Sequence, residues 1–340
     1  MYQFSKGVVG LVIVSMFFGC EEGAILEDDD GGVDDVINGT VVLRDSDSGG
    51  GVVVHDLFVD ENPTIPENGA TFDTHSVDVA DIPPDVLAVI NRDFTTRPRA
   101  IVGVDNRQAV SNTKRFPYSA VVKLHIWLYD GENGYTTCTG SLIGADAVLT
   151  AAHCVYDTSW GNGPAYKINV VPGQYQDGQS TKKPFGTASG KKLYYPWEYV
   201  KHEDNSWHRI PYDYAVIRLK TPFDMDETGV MSYGVMPDPL NERAALTAYH
   251  YYTDGGKTMM TSQDKVRRAF DNGTFNHYCD LEVGASGGAI TGNGEWQNKI
   301  FGIQSSQHIS SNGAQYNIAV LITQETYDDI DEWAAHLFWL

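Results

Sequence analysis

The stretch LTAAHC at Leu149–Cys154 joins an apolar run to a histidine and a cysteine. YDYA follows at Tyr212–Ala215, and GASGG follows later at Gly284–Gly288. A serine hydroxyl is a weak nucleophile until a base takes its proton, and an imidazole oriented by a carboxylate is such a base. In this order the three motifs predict a catalytic triad of His153, Asp213 and Ser286.

Gly284 lies two residues before the serine, where a backbone without a side chain can approach a substrate carbonyl closely. Its N–H and that of Ser286 would form an oxyanion hole, in which one donor typically contributes about 10²–10³ in rate. Taken singly, the histidine could be a core residue, the aspartate a strand-edge carboxylate and the glycine motif a tight turn. Their joint occurrence in this order favours the catalytic interpretation.

The Gly-x-Ser-x-Gly spacing also suits the nucleophile elbow of an α/β-hydrolase, which places serine, acid and histidine in that order. Asp328 or Asp331 followed by His336 would nominally complete such a set. That alternative leaves LTAAHC without a role, and the sequence lacks the strand–helix alternation of an α/β fold.

Short β-branched and aromatic segments, separated by turn residues, predict an all-β domain built as a sandwich or barrel. These segments are Tyr118–Leu128, Ser141–Leu149, Lys167–Val171, Tyr214–Leu219 and Ile300–Gln304. Near the chain end, apolar residues recur three or four apart between acidic ones and predict an amphipathic C-terminal helix. They are Tyr327, Ile330, Trp333, Ala334 and Leu337.

The charge of the chain is strongly acidic: its 340 residues include 24 Lys and Arg against 45 Asp and Glu, a net charge of −21. Nucleic-acid binding needs a basic surface, so this charge argues against it. No apolar run approaches the roughly 20 residues of a transmembrane helix. Residues 21–100 hold 19 of the acidic and 4 of the basic residues, so the acidity belongs mainly to an N-terminal segment.

Residues 1–20 are typical of an export signal, because Lys6 precedes an apolar run, Val8–Phe18, that is too short to span a membrane. A small residue before Cys20 is typical of bacterial lipoproteins, in which that cysteine becomes the lipidated first residue. The two phenylalanines before Gly19 fit this pattern poorly, so an ordinary cleaved signal or an uncleaved anchor stays open. Each places the protein outside the cytoplasm, lipid-anchored at the bacterial cell envelope or secreted, where disulfides persist.

Acidic, glycine-rich runs at Asp28–Gly32 and Asp45–Gly51 predict a largely disordered segment over residues 21–100, with some order near Val52–Val59. The segment is a solvated tether, a pro-segment removed on maturation, or both. Arg97 and Arg99 offer basic processing sites where the acidic character ends. The domain with the three motifs therefore spans residues 101–340.

Residues 101–340 resemble the chymotrypsin-like (trypsin-fold) serine peptidases, and most of all their bacterial glutamyl-endopeptidase branch. Besides the three motifs, the resemblance rests on Val102–Arg107, Phe116–Tyr118, Cys138–Gly144 and Val155–Thr158. It implies an all-β fold of two packed six-stranded β-barrels, with the active site between them and a C-terminal α-helix. It also implies peptide-bond hydrolysis through an acyl-enzyme.

The same resemblance pairs Cys138 with Cys154 in a disulfide beside the histidine. A loop of this size would contribute about 3 kcal/mol to stability. The sequence lacks the Cys-x-x-Cys spacing that is typical of zinc sites. We expect neither a metal nor another cofactor. Cys279 is left over, either as a buried free thiol or in an intermolecular or redox role.

Two departures from the family bear on activation and specificity. Trypsin-like zymogens mature when a new N-terminus forms an ion pair with an aspartate just before the nucleophile. Here Ala285 occupies that position, so we do not expect a new N-terminus at Ile101 to activate the protein in this way. The branch binds glutamate through a histidine and a hydroxyl residue, whose positions hold Gln304 and Leu281. Because an unpaired buried carboxylate is costly, we expect no strict glutamate preference.

Further residues predicted to bind substrate are Asp280, Ser305 and Ser306. Asp280 would suit a Lys or Arg side chain if it pointed into the pocket, although the branch can carry an acid there without basic specificity. A shifted register would bring His308 to the position of the missing histidine.

These observations predict a serine endopeptidase that acts on protein or peptide substrates. We expect a monomer that contacts membranes only through an N-terminal lipid anchor. A catalytically silent homologue that binds a partner, and an esterase, stay open as alternatives.

Overall fold

The computed structural model describes residues 26–27, 33–34, 36–37, 40–44, 51–61, 63, 99–101, 104–128, 135–157, 163–201, 206–309 and 315–335. The export signal with Cys20, most of the acidic segment, Arg97 and His336 lie outside the described residues. Among the residues it does describe, no helix has the length and apolar character needed to cross a bilayer.

The described residues are mainly strands. The strands are β1 Leu26–Glu27, β2 Val33–Asp34, β3 Val36–Ile37, β4 Thr40–Arg44, β5 Gly51–Asp56, β6 Arg99–Ala100, β7 Gln108–Ala109, β8 Val121–Trp127, β9 Thr136–Gly144, β10 Ala147–Thr150, β11 Tyr156–Asp157, β12 Gly163–Pro164, β13 Lys167–Pro172, β14 Tyr175–Asp177, β15 Ser180–Lys182, β16 Ala188–Pro196, β17 Ala215–Leu219, β18 Ser232–Tyr233, β19 Arg243–Tyr249, β20 Met259–Phe270, β21 Thr274–His277, β22 Leu281–Glu282, β23 Ala289–Thr291, β24 Lys299–Ile309 and β25 Gln315–Leu321. The α-helices are α1 Trp197–Lys201, α2 Ser206–Arg209, α3 Met225–Thr228, α4 Tyr251–Asp254 and α5 Gln324–Ala334. Short 3₁₀ turns cover Tyr118–Ala120, Ala152–Cys154, Ile210–Tyr212 and Gly294–Trp296.

Twelve of these strands form two closed antiparallel barrels. The first runs in the order β13-β8-β9-β10-β17-β16 and closes through the pairing of β13 with β16. The second runs in the order β24-β23-β19-β20-β21-β25 and closes through the pairing of β24 with β25. The predicted fold of two six-stranded barrels is confirmed.

The C-terminal helix α5 packs on the first barrel. Thr323 caps its first turn by accepting a hydrogen bond from the backbone N–H of Thr326 at 3.3 Å. On its apolar face, Ile330 and Trp333 are buried, and the Trp333 ring stacks on Tyr214 at a centroid distance of 5.7 Å. The residues of β17 are therefore buried along the whole strand, which fixes the chain immediately after Asp213.

Part of the acidic segment also lies on the first barrel. The β-branched strand β5 pairs antiparallel with β16, and Val53 and Leu57 reach the buried core. Phe58 then stacks on Tyr166 at a centroid distance of 5.2 Å. This short apolar run anchors the segment to the barrel at residues 51–58, despite the acidic composition around it.

Candidate active site

The predicted base and its orienting carboxylate meet at one end of the first barrel. His153 lies in the 3₁₀ turn that follows β10, and Asp213 precedes β17, which pairs with β10. Asp213 Oδ2 lies 2.7 Å from His153 Nδ1, and Oδ1 accepts a hydrogen bond from the His153 backbone N–H at 2.8 Å. The His153 side chain is 33% exposed, so its ring can meet a substrate while Asp213 stays buried.

A second hydroxyl group contacts the same carboxylate. Ser305 in β24 donates to Asp213 Oδ2 at 2.5 Å. Burial opposes ionisation of Asp213, but the charge of His153 and the hydrogen bonds from His153 and Ser305 outweigh it and lower its pKa. The sequence assigns Ser305 to the substrate-binding strand, and the structure directs its hydroxyl to Asp213.

The predicted nucleophile lies in a turn that packs against the strands beside the histidine. Ser286 is half-buried between β22 and β23, and its carbonyl accepts a hydrogen bond from Thr139 N–H at 2.9 Å. Gly287 has φ +76°, and a Cβ there would lie 2.1 Å from Thr150 Oγ1 and 2.9 Å from Ala151 N. Only glycine permits this approach, which brings the Ser286 turn to the chain just before His153.

Gly284 also adopts a backbone conformation that favours glycine. Its φ is +96°, and a Cβ would lie 2.8 Å from the carbonyl oxygen of Tyr249. Within the described part of the chain, neither the Gly284 N–H nor the Ser286 N–H donates a hydrogen bond. Ser286 Oγ makes no hydrogen bond to His153 among those residues, and such contacts often tighten only when substrate is bound.

The predicted specificity residues divide between two environments. Asp280 is fully buried, and its Oδ2 accepts a hydrogen bond from the Asn106 N–H at 2.7 Å. Leu281 is 7% exposed, and its backbone pairs with Ala100 in the β6–β22 ladder. The chain just before residue 101 therefore lies along the strand that leads to Ser286.

Gln304 belongs to a buried polar pair. His277 Nδ1 accepts a hydrogen bond from the Cys279 N–H, so its Nε2 carries the proton and donates to Gln304 Oε1 at 2.7 Å. Burial lowers the pKa of His277 to about 4, which keeps the ring neutral. Gln304 Nε2 donates to the carbonyl of Ser306 at 3.2 Å. The sequence offered no signal for His277, because β21 reaches Gln304 only through the sheet.

His308 lies four residues beyond Gln304 on β24. Its ring stacks on Tyr316 at a centroid distance of 5.8 Å, and its Nε2 lies 3.1 Å from Ser306 Oγ. Burial lowers the pKa of His308. The register of β24 against β25 places Gln304 opposite Ala319 and His308 opposite Tyr316.

Within the residues that the structure describes, the cysteines are one bridged pair and one free thiol. Cys138 and Cys154 form a disulfide that closes a separation of 16 residues and ties the His153 turn to β9. Cys279 is free and fully buried, and its Sγ donates to the Ala244 carbonyl. Burial raises the pKa of the Cys279 thiol to about 12.

Comparison with known proteins shows that this chain is similar to several proteases. The family model described as Trypsin matches residues 104–330. The extracellular metalloprotease of Bacillus subtilis is 28% identical over 243 residues, which cover 71% of each chain. The glutamyl endopeptidase of Bacillus licheniformis is 27% identical over 242 residues, which cover 69% of each. Serine protease 23 of Mus musculus is 28% identical over 262 residues, which cover 70% of this chain and 65% of that protein.

Among solved structures, a Glu endopeptidase aligns with a TM-score of 0.58 at 25% identity, covering 69% of this chain and all of that one. A pair of closed antiparallel barrels of this order is the architecture of the chymotrypsin-like serine endopeptidases. The chain belongs to the trypsin family. Its likeness to glutamyl endopeptidases in both sequence and structure confirms the resemblance to that branch.

The name of one relative, extracellular metalloprotease, raises the question of whether side chains of this protein could bind a metal ion. Within the described residues, the group that converges is Cys138, His153 and Cys154. The two sulfurs are bonded to each other, whereas metals bind the free thiolate. His153 is also held through Nδ1 by Asp213. These residues do not fit a metal ion, and the mechanism proposed below uses none.

Proposed function

We propose that the protein is a serine endopeptidase that acts outside the cytoplasm, with Ser286 as nucleophile, His153 as general base and Asp213 as the group that orients His153. The observation that carries this proposal is the double contact of Asp213 with His153, beside the turn that presents Ser286. The order of the three motifs in the chain supports the same assignment.

In the first half of the reaction, His153 Nε2 takes the proton of Ser286 as Oγ attacks the carbonyl carbon of the substrate. The Nδ1–H stays on the ring, because Asp213 Oδ2 accepts it at 2.7 Å. The resulting imidazolium is stabilised by the buried carboxylate. His153 then gives its proton to the leaving amine, and the acyl group remains on Ser286.

The oxyanion that forms during the attack needs hydrogen-bond donors. We assign this role to the N–H groups of Gly284 and Ser286, which flank Ala285 in the turn. The positive φ of Gly284 supports this assignment, since it turns the backbone in a way that other residues rarely adopt. In the second half of the reaction, water attacks the acyl group with His153 again as base, which releases Ser286.

Substrate preference before the scissile bond is proposed to be broad. Gln304 is held by His277, Asp280 accepts from Asn106, and Leu281 offers no hydroxyl. A glutamate side chain would then lack the histidine and hydroxyl partners that the branch supplies. Asp280 is fully buried and its Oδ2 accepts the Asn106 N–H, so this carboxylate faces the start of the domain and is not proposed to select Lys or Arg.

We also propose that the protein is exported, lipid-anchored at Cys20 and monomeric. The first two proposals rest on the signal-like residues 1–20. A pro-segment role for residues 21–100 is supported by the β6–β22 pairing, since Arg99 and Ala100 lie along the strand before the nucleophile. Cleavage after Arg99 would remove Arg99 from this pairing, whereas cleavage after Arg97 would leave both paired residues on the mature chain. Mass spectrometry of the exported protein, measuring its first residue and any diacylglyceryl group on Cys20, tests processing and lipidation, and light scattering of the same protein tests the monomeric state.

The function itself is tested by incubating the purified exported protein with an unbiased peptide library. We expect internal cleavage of many peptides, with loss of all cleavage in Ser286→Ala at an unchanged unfolding midpoint. A folded wild type that cleaves no peptide would favour a silent homologue. Turnover of simple esters without peptide cleavage would favour an esterase.

A further inference from the structure

A short segment near the start of the peptidase domain lies against the strand that leads to the nucleophile. The Asn106 N–H donates to Asp280 Oδ2 at 2.7 Å, and Arg107 Nη2 donates to Glu282 Oε1 at 3.0 Å. The side chains of Arg107 and Glu282 are 5% and 0% exposed, so this is a buried ion pair. It joins residues that are 175 positions apart in the sequence.

The guanidinium of Arg107 is shared between two carboxylates. Its Nε and Nη2 donate to Asp105 at 2.9 and 2.7 Å, which leaves Nη2 also directed at Glu282. Burial disfavours the charged guanidinium, but the hydrogen bonds that Arg107 donates to the Asp105 and Glu282 carboxylates outweigh it and raise the pKa of Arg107. Arg107 is therefore a permanent cation at this position.

Glu282 is held by further groups on α4 and beside it. Its Oε2 accepts a hydrogen bond from Thr253 Oγ1 at 3.1 Å, and its backbone N–H donates to His250 Nδ1 at 3.1 Å. Burial and the nearby Arg107 lower the pKa of His250 to about 3, so its ring is a neutral acceptor. With Arg107 in place, backbone and side chain of Glu282 are both fixed.

Glu282 is also the first residue of the turn that presents the nucleophile. Its carbonyl accepts a hydrogen bond from the Ala285 N–H at 3.1 Å, and Gly284 has its positive φ at the third position, as in a type II turn. Ser286 follows directly. A displacement of Glu282 would therefore move the Gly284 N–H and Ser286 together.

We propose that Arg107 is a positioning residue: through its ion pair with Glu282 it holds the turn of residues 282–285 in the conformation that presents Gly284 and Ser286 to the substrate. This inference rests on the proposed function of that turn. The cation comes from within the chain, and Ala285 offers no carboxylate to an amino terminus, so a new terminus at Ile101 is not needed for this role.

The test compares steady-state kinetics of Arg107→Gln, Arg107→Lys and Glu282→Gln on one peptide substrate. The oxyanion hole acts on the transition state, so Arg107→Gln should lower kcat about 10²-fold and change KM less than about threefold. Arg107→Lys restores the charge without the planar fork and should recover at least about tenfold of that loss. Glu282→Gln should lower kcat by about the same factor as Arg107→Gln.

Two further variants separate positioning from folding. Arg115→Gln, at an exposed arginine outside this network, should keep wild-type kcat. The double variant Arg107→Gln with Glu282→Gln leaves no unpaired buried charge and should fold even where Arg107→Gln alone does not. It should retain the low kcat of Glu282→Gln at a near-wild-type unfolding midpoint.

Wild-type kcat in a folded Arg107→Gln, or in the double variant, would overturn the inference. An equal loss in Arg107→Lys and Arg107→Gln would overturn the role of the charge. Neither result would affect the proposed function, which fails if a folded wild type cleaves no peptide or if Ser286→Ala retains activity. An active wild type, an inactive Ser286→Ala and an unaffected Arg107→Gln would therefore refute this inference alone.

Discussion

Asp213 binds His153 through both of its carboxylate oxygens: Oδ1 accepts the backbone N–H at 2.8 Å, and Oδ2 lies 2.7 Å from Nδ1. The first contact fixes the 3₁₀ turn, and the second fixes the ring and its tautomer. Ser305 supports the carboxylate from the second barrel, so both barrels contribute to the position of the histidine.

Asp213→Asn should lower kcat by about 10⁴-fold, because an amide at this position can hold the ring in the wrong tautomer. KM should change far less, since Asp213 is buried and contacts His153 rather than substrate. Peptide hydrolysis by the variant, with its circular dichroism spectrum as a check of folding, measures this. A loss smaller than tenfold would mean that another group orients the imidazole.

Replacing Cys138 and Cys154 together by alanine should reduce the free energy of unfolding by about 3 kcal/mol, since the bridge closes 16 residues. Urea unfolding of oxidised wild type and the double variant gives the difference. Cys279→Ala is the matched control, because this thiol is free. Non-reduced peptides in which Cys279 is linked to Cys138 or Cys154 would show that the Cys138–Cys154 bridge is wrongly assigned.

The fold and the proposed triad were predictable from the sequence because each motif combines a local strand or turn pattern with one residue of a type that catalysis needs. LTAAHC continues β10 into the His153 turn, and GASGG places glycine where φ is positive. Long-range pairings were not accessible in the same way. His277 reaches Gln304 only through strand register, and the charges of Arg107 and Glu282 carry no local signal of their contact.

The sequence predicts some order near Val52–Val59, where β5 lies, but it does not indicate that this strand packs on the first barrel. Its valines sit between acidic and glycine-rich runs, so the average composition indicates disorder although residues 52–54 suit a strand. Pairing with β16 supplies the burial that this short strand could not obtain alone. Neither the composition of this segment nor its local strand pattern indicates which strand β5 pairs with.

Gln304→His combined with Leu281→Thr should raise the preference for glutamate before the scissile bond. The new imidazole could accept from His277 Nε2–H and donate its other N–H to the substrate carboxylate, with the threonine hydroxyl as a second donor. Charge-assisted hydrogen bonds contribute roughly 1.5–3 kcal/mol each. Allowing for imperfect geometry, we expect at least about a tenfold gain in relative kcat/KM.

Library cleavage by wild type, Leu281→Thr and the double variant measures this preference. The single variant serves as control, because it adds the hydroxyl without the imidazole. Wild-type protein that already cuts almost solely after glutamate would show that the pocket assignment is misplaced. His308 would then be the first residue to replace.

Acid should destabilise the fold through its buried neutral imidazoles. The pKa of His250 is lowered to about 3 and that of His277 to about 4, whereas both lie near 6.5 in the unfolded chain. Between about pH 6.5 and pH 4 the unfolded state therefore binds protons that the folded state does not. The free energy of unfolding should fall as pH falls, by up to about 1.4 kcal/mol per pH unit for each imidazole.

Urea unfolding at pH 7, 6 and 5 tests this dependence. His277→Asn should show a shallower slope than wild type, whatever its absolute stability, because one proton-binding group is removed. Equal slopes in the two proteins would indicate that His277 is accessible to protons in the native state.

In the proposed mechanism Ser286 is a nucleophile activated by His153, and a fluorophosphonate probe reports this reactivity at the serine itself. The exported protein should acquire one phosphonyl group, which peptide mass spectrometry should place on Ser286. Labelling should be absent in Ser286→Ala and at least about 10²-fold slower in folded His153→Ala. A folded wild type that takes up no probe, or takes it up at another residue at the same rate in Ser286→Ala, would show that Ser286 is not the activated nucleophile.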